Sequence, residues 1–144
     1  MLNKAYFESR SEILKWINST LKVEVANIEQ LGSGSIYCHL LDAAYPSKVP
    51  LQKVKWSTQM EVDFISNFKV LQSCFEHLGI ARNIDIQRLV RAKYQDNLEF
   101  AQWMKGELGP KIALNTKYNP FQRRNWVKID LSFAIKGKEQ RNNK

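Results

Sequence analysis

Catalysis in this chain of 144 residues would have to start from two histidines and two cysteines, and their spacing does not support it. Cys38 and His39 are adjacent, so on a helix they point away from one another and cannot share a metal ion. His77 has no Cys or carboxylate at ligand spacing, and no triad accompanies either histidine. Gly32-Ser33-Gly34-Ser35 looks like a phosphate cradle only superficially. It lacks the Lys-Ser/Thr ending and the preceding strand of a P-loop, and reads as a flexible turn entering a helix. No catalytic residue, metal ligand or cofactor is assigned, and the expectation is a protein that is not an enzyme.

Charge recognition is the chemistry that remains. The formal net charge is +8, and it is unevenly placed. Residues 48–93 hold eight basic and four acidic side chains, and residues 110–144 hold nine and two. Arg88, Arg91 and Lys93 crowd one short stretch, with Arg82 upstream, and Lys53 and Lys55 flank Val54. Two basic zones imply an acidic partner, which charge alone leaves open among nucleic acid, an anionic membrane and an acidic protein polymer. Trp56 sits inside the basic stretch and keeps an interest as a surface contact. The other aromatics, including Phe68 and Trp103, recur at helical spacing and are expected in the core.

The elements that must position these cations read as helices. Ser9 and Glu12 form a capping box ahead of Ile13, Leu14, Ile17 and Leu21. A second helix starts near residues 33–35 and stops before Pro46. The longest begins at a second capping box, Thr58 and Glu61, and carries Phe64, Phe68, Leu71, Phe75 and Leu78, with Gly79 as a left-handed terminator. Asp85 caps a short helix. The last runs from about Gln95 to Leu108, where Gly109-Pro110 should end it. Residues 110–126 read as irregular, and residues 127–135 alternate apolar and polar like a strand.

The fold class is therefore all-α, with four main helices and short connecting ones. The expected domain is 1–109, followed by a basic extension over 110–144 with no coiled coil evident. Hydrophobic residues at 44% suffice for a core, and no apolar run reaches the roughly 18 residues that cross a bilayer. Two cysteines suit a reducing compartment, and the start lacks the apolar region of a signal peptide, so an intracellular, soluble protein is expected.

Four blocks carry a resemblance. Ile28-Glu29-Gln30-Leu31-Gly32-Ser33-Gly34-Ser35-Ile36-Tyr37-Cys38 resembles the second-helix signature of the microtubule end-binding (EB) proteins. Leu51-Gln52-Lys53-Val54-Lys55-Trp56, Asn67-Phe68-Lys69-Val70-Leu71-Gln72 and Tyr94-Gln95-Asp96-Asn97-Leu98-Glu99-Phe100-Ala101-Gln102-Trp103 are similar to further blocks of that family, in the same order. Tyr118-Asn119-Pro120 resembles the Tyr-Asp-Pro that follows its domain.

The resemblance implies a single calponin-homology domain that docks on the tubulin lattice near growing plus ends and regulates microtubule dynamics. Its lattice-contacting positions fall on Lys53, Lys69, Arg82, Arg88, Arg91, Lys93 and Gln95, and the reading here adds Lys55. It also implies a cytoplasmic, cytoskeletal location, on microtubules and the spindle. Gln52 and Gln59 stand where the family has lysines, and Ala92 replaces a frequent glycine. The family's coiled coil and acidic tail have no counterpart in these residues. Self-association through the C-terminal segment is one expectation, and a flexible tail that raises affinity without selecting lattice states is another. An actin-binding calponin-homology module is the alternative, a nucleic-acid binder using the basic tail is less favoured, and no membrane partner is expected.

Overall fold

Ser9 caps the first helix as its spacing from Glu12 predicts, each accepting the other's backbone N–H. The structure is a computed structural model that describes residues 8–134. Helix α1 (Arg10–Leu21) buries Ile13, Ile17 and Leu21 and ends on left-handed Lys22. A 3-10 helix (Ile28–Ser33) leads through Gly34 into α2 (Ser35–Ala44), which is buried along its whole length. Helix α3 (Glu61–Leu78) presents Phe64, Phe68, Leu71 and Phe75 to the core and stops at Gly79, with φ 71°. After α4 (Ile86–Leu89), capped by Asp85, come α5 (Tyr94–Leu114) and α6 (Pro120–Arg123). Helix α2 is the axis, packed by α1, α3 and α5. That is the all-α fold the apolar periods predict, and the described residues form no strand.

Several local expectations are corrected. Gly32-Ser33-Gly34-Ser35 is buried rather than a flexible turn. Gly34 has φ 82°, and a Cβ there would lie 3.0 Å from Asn67 and Phe68, so only glycine fits. Thr58 does not cap α3. Its hydroxyl accepts the Met60 N–H and donates to Asp63, and the helix starts after Met60 instead. Trp56 is buried, packed edge-on to His39 at 5.4 Å, whereas Trp103 is only partly buried.

Helix α5 does not end at Gly109-Pro110 but runs on to Leu114. A proline inside a helix costs about 3 kcal/mol, and contacts beyond it offset that. Leu108 is buried, Ile112 packs on the core, and Asn115 donates to the carbonyls of Ala43 and Ala44 at the end of α2.

Residues 115–134 are not a loose tail. They return over the body, where Arg123 and Arg124 anchor α6, and residues 127–131 run as a strap along the 54–57 loop before the chain turns helical over 132–134. The predicted strand is absent over its described part; Ile135 lies outside the described residues. Asp130 donates to the Trp56 carbonyl, Ser57 to the Lys128 carbonyl and Gln30 to the Leu131 carbonyl, while Leu131 is buried and Phe133 packs 4.6 Å from Phe64.

Candidate functional site

Two loops carry most of the predicted cations, and each is held by a buried asparagine. Leu51, Val54 and Trp56 turn inward, leaving Gln52, Lys53 and Lys55 exposed. Asn67, fully buried on α3, accepts the Lys55 N–H at 2.8 Å and donates to the Lys55 and Ser33 carbonyls at 3.0 and 2.9 Å. On the other side, Asn97 of α5 donates to the Leu89 and Lys93 carbonyls at 3.2 and 3.1 Å, and Tyr37 donates to its side-chain oxygen at 2.9 Å. These bonds tie the loop backbones to side chains on α3 and α5, and so fix the path of both loops.

The 3-10 helix joins the two. Ser33 takes a bond from Asn67, and its neighbour Gly32 lies so close to Ala92 that a Cβ at Gly32 would sit 2.6 Å from it. Ala92 is left-handed, with φ 58°, which turns Arg91 and Lys93 outward on either side of it. Lys55 on one flank and Arg91 and Lys93 on the other thus border the same 3-10 helix, and Gln95 is exposed in the first turn of α5.

The remaining predicted residues are spread over neighbouring grooves. Lys53 and Lys69 line one with Lys48, a cation the sequence reading did not single out, together with Ser73 and His77. His77 is exposed and bonds the Ser73 carbonyl of its own helix. Arg82 and Arg88 line another, but with Asp85, Asp96 and Glu99 among its walls. Arg88 is 70% exposed and 3.5 Å from Asp85. Arg82 is less available. Its guanidinium lies 5.1 Å from the Trp103 ring centre and 5.7 Å from that of Phe100, and 3.8 Å from Glu99. Arg82 therefore packs as well as charges, and reversing it would disturb the body too. Arg91 and Lys93 line a third groove with Glu29, Tyr94 and Phe133.

A second polar cluster, which sequence reasoning missed, anchors α6. Asp42 is fully buried on α2 and accepts two bonds from Arg123, at 2.9 and 3.0 Å, and one from the Tyr118 hydroxyl at 2.5 Å. Tyr118 also meets His39 Nδ1 at 3.0 Å, and Arg124 meets His39 Nε2 at 3.2 Å while donating to the Leu21 and Lys22 carbonyls. The donors assign His39 as neutral, with its proton on Nδ1. Burial, with the Arg124 charge beside it, lowers its pKa to about 4. Burial and the Asp42 bond raise that of Tyr118. The signal was present as Tyr118-Asn119-Pro120 and Arg123-Arg124, but nothing in a one-dimensional pattern pairs them with Asp42 and His39.

Among the described residues no group of three His, Cys, Asp or Glu is placed to hold a metal ion. Cys38 and Cys74 are free and buried, and burial pushes both thiols up. Among the described residues no helix is long and apolar enough to cross a membrane. The arrangement is a set of cations on braced backbone, suited to hold an acidic surface.

Comparison with known proteins agrees with this architecture. The calponin homology (CH) domain model matches residues 7–112. Microtubule-associated protein RP/EB family member 1C of Arabidopsis thaliana is 41% identical over 124 residues, which is 86% of this chain and 38% of that protein. Family member 1A of the same organism is 42% identical over 127 residues, 86% of this chain and 46% of its own length. The chain thus spans less than half the length of these relatives. The solved structure described as "Structural Basis of Microtubule Plus End Tracking by XMAP215, CLIP-170 and EB1" contains a chain matched with a TM-score of 0.72 and 36% identity, over 83% of this chain and 100% of that one. From the helical architecture and these matches together, the chain belongs to the calponin homology (CH) domain family, on the branch of the RP/EB microtubule-associated proteins.

Proposed function

We propose that the chain is a non-enzymatic, microtubule-binding module of end-binding type, docking on the tubulin lattice near growing plus ends and so regulating microtubule dynamics. Its contacts are Lys53, Lys55, Lys69, Arg82, Arg88, Arg91, Lys93 and Gln95, with Lys48 added from the groove it shares with Lys53 and Lys69. One observation carries the reading: Asn67 and Asn97 hold the two cation-bearing loops beside one 3-10 helix. Long-range attraction needs only charge, but telling one lattice conformation from another needs groups that cannot adapt to both. Braced cations meet that requirement. The basic extension over 110–144 is taken to raise affinity, with the amendment that residues 115–134 act as part of the folded body. Self-association through the C-terminal segment is the part of this reading that sizing across a concentration series tests. The location implied is on cytoplasmic and spindle microtubules.

Co-sedimentation with microtubules, F-actin and duplex nucleic acid, side by side at fixed salt, tests the function. Pelleting with microtubules, strengthened on lattices assembled with a slowly hydrolysed GTP analogue, is expected. Equal or stronger pelleting with F-actin or nucleic acid would refute it.

A further inference from the structure

The turn after α6 closes that helix, with the backbone N–H of Asn125 donating to the Gln122 carbonyl and that of Trp126 to the Phe121 carbonyl, and it holds a tryptophan in the left-handed region. Asn125 and Trp126 are both left-handed, with φ 54° and 58°, and Trp126 is 69% exposed. Asparagine tolerates this region, but for a tryptophan it costs on the order of 1–2 kcal/mol and is an outlier. A turn that only had to close the helix would take glycine at position 126. Strain of this kind collects where a surface has to be presented.

What the turn presents is stiff and flat. Trp126 stacks on Phe121, itself 39% exposed, with ring centres 5.5 Å apart and planes 10° from parallel. Arg124 sits 4.6 Å from the Phe121 ring centre, and the Trp126 N–H bonds the Phe121 carbonyl at 2.8 Å. An exposed Trp already ordered by stacking is among the side chains that concentrate binding energy in protein interfaces, while Arg124, buried beneath Phe121, supports the pair from inside.

The platform continues the basic face. Asn125 and Val127, on either side of Trp126, line a groove of about 430 Å³ with Leu51, Gln52 and Val54, next to Lys53. Ser57 holds the Lys128 carbonyl at 2.7 Å, which puts the backbone of the exposed Lys128 beside the loop that carries Lys53 and Lys55. A second copy of this face would bring like charges together, which disfavours self-pairing. We infer that Trp126, backed by Phe121 and flanked by Lys128, is a contact residue for the same acidic protein polymer that the 53–55 loop binds. The inference rests on the microtubule reading above and names a part of that interface outside the predicted set.

The test uses the full chain. Trp126→Ala and Trp126→Phe are compared with wild type and Lys53→Glu in microtubule co-sedimentation, with melting curves as the folding control. Trp126→Ala should weaken binding about five- to twentyfold, and Trp126→Phe less. Hydroxyl-radical oxidation of Trp126 should be rapid in the free chain and suppressed on microtubules. If Trp126→Ala pellets like wild type while Lys53→Glu does not, the inference fails and the microtubule reading stands. If wild type does not pellet at all, both fail. A Trp126-dependent shift to dimer, or Trp126-dependent retention on phosphatidylserine vesicles or single-stranded DNA that exceeds microtubule binding, would assign the surface elsewhere and overturn it. So would slow oxidation of Trp126 in the free chain.

Discussion

Asn67 grips both backbone groups of Lys55, accepting its N–H at 2.8 Å and donating to its carbonyl at 3.0 Å. The asparagine is fully buried while the lysine is exposed, so a core residue sets where a surface cation stands. A neutral, buried side chain thereby fixes the backbone of a proposed contact residue.

Asn67→Ala should cost about 2–4 kcal/mol, because the Lys55 N–H, the Lys55 carbonyl and the Ser33 carbonyl all lose a buried partner. Below its melting temperature the variant should still bind microtubules more weakly than wild type. Chemical denaturation and pelleting measured on the same preparation separate the two effects. Unchanged affinity in a destabilised but folded variant would reduce Asn67 to a core residue.

Ala92 stands left-handed, so Ala92→Gly should stabilise the fold by about 0.5–1 kcal/mol, the relief of strain exceeding the entropy added to the unfolded chain. Gly32→Ala should do the opposite by more than that, since its Cβ would lie 2.6 Å from Ala92. Combining the two should recover only part of the loss, as the Ala92 Cα remains equally close. Urea midpoints of the two single variants and the double variant check this.

The helices were legible because their signals are local: the Ser9–Glu12 box, the aromatic stripe of α3, Gly79 and Asp85 all act within a few residues of themselves. Continuation of α5 through Pro110 was not, because it depends on where Ile112 and Asn115 land in space. The strand reading of residues 127–135 failed for an instructive reason. Its alternation is real, with Val127, Ile129, Leu131 and Phe133 packed on the body and Lys128 exposed. The strap bonds to Trp56, Ser57 and Gln30 through residues 128–131, and half-buries polar Asp130 and Ser132 with the apolar residues. It turns helical over 132–134, so the alternation of residue types does not mark a ladder. The candidate face was legible as charge, while the asparagines that brace it were visible only as letters in a familiar block.

The anchor of α6 should respond asymmetrically to substitution. Arg123→Ala leaves Asp42 buried without its bidentate partner and should cost about 3 kcal/mol or more, whereas Asp42→Asn removes the charge itself and should cost less. Limited proteolysis after residue 114 should accelerate in Arg123→Ala. Equal effects in the two variants would argue that the pair is screened as on a surface.

His39 makes stability depend on pH. Its pKa in the folded chain is lowered to about 4 from an ordinary 6.5, so the unfolded chain binds the extra proton between these values. The neutral form's advantage is fully present above pH 6.5 and is lost as pH falls through about 4, amounting to roughly 3 kcal/mol. Melting temperatures from pH 7 to 4 should fall more steeply for wild type than for His39→Gln.

Charge reversal on the two braced loops tests the central claim most directly. Lys55 and Lys93 are exposed and their backbones are held from inside, so Lys55→Glu/Lys93→Glu should leave the melting temperature nearly unchanged. Quantitative co-sedimentation should then show microtubule affinity reduced well over tenfold, on roughly 1–3 kcal/mol per charge-assisted contact, with less reduction at higher salt. A folded double variant that pellets with microtubules as wild type does would contradict the assignment of this face.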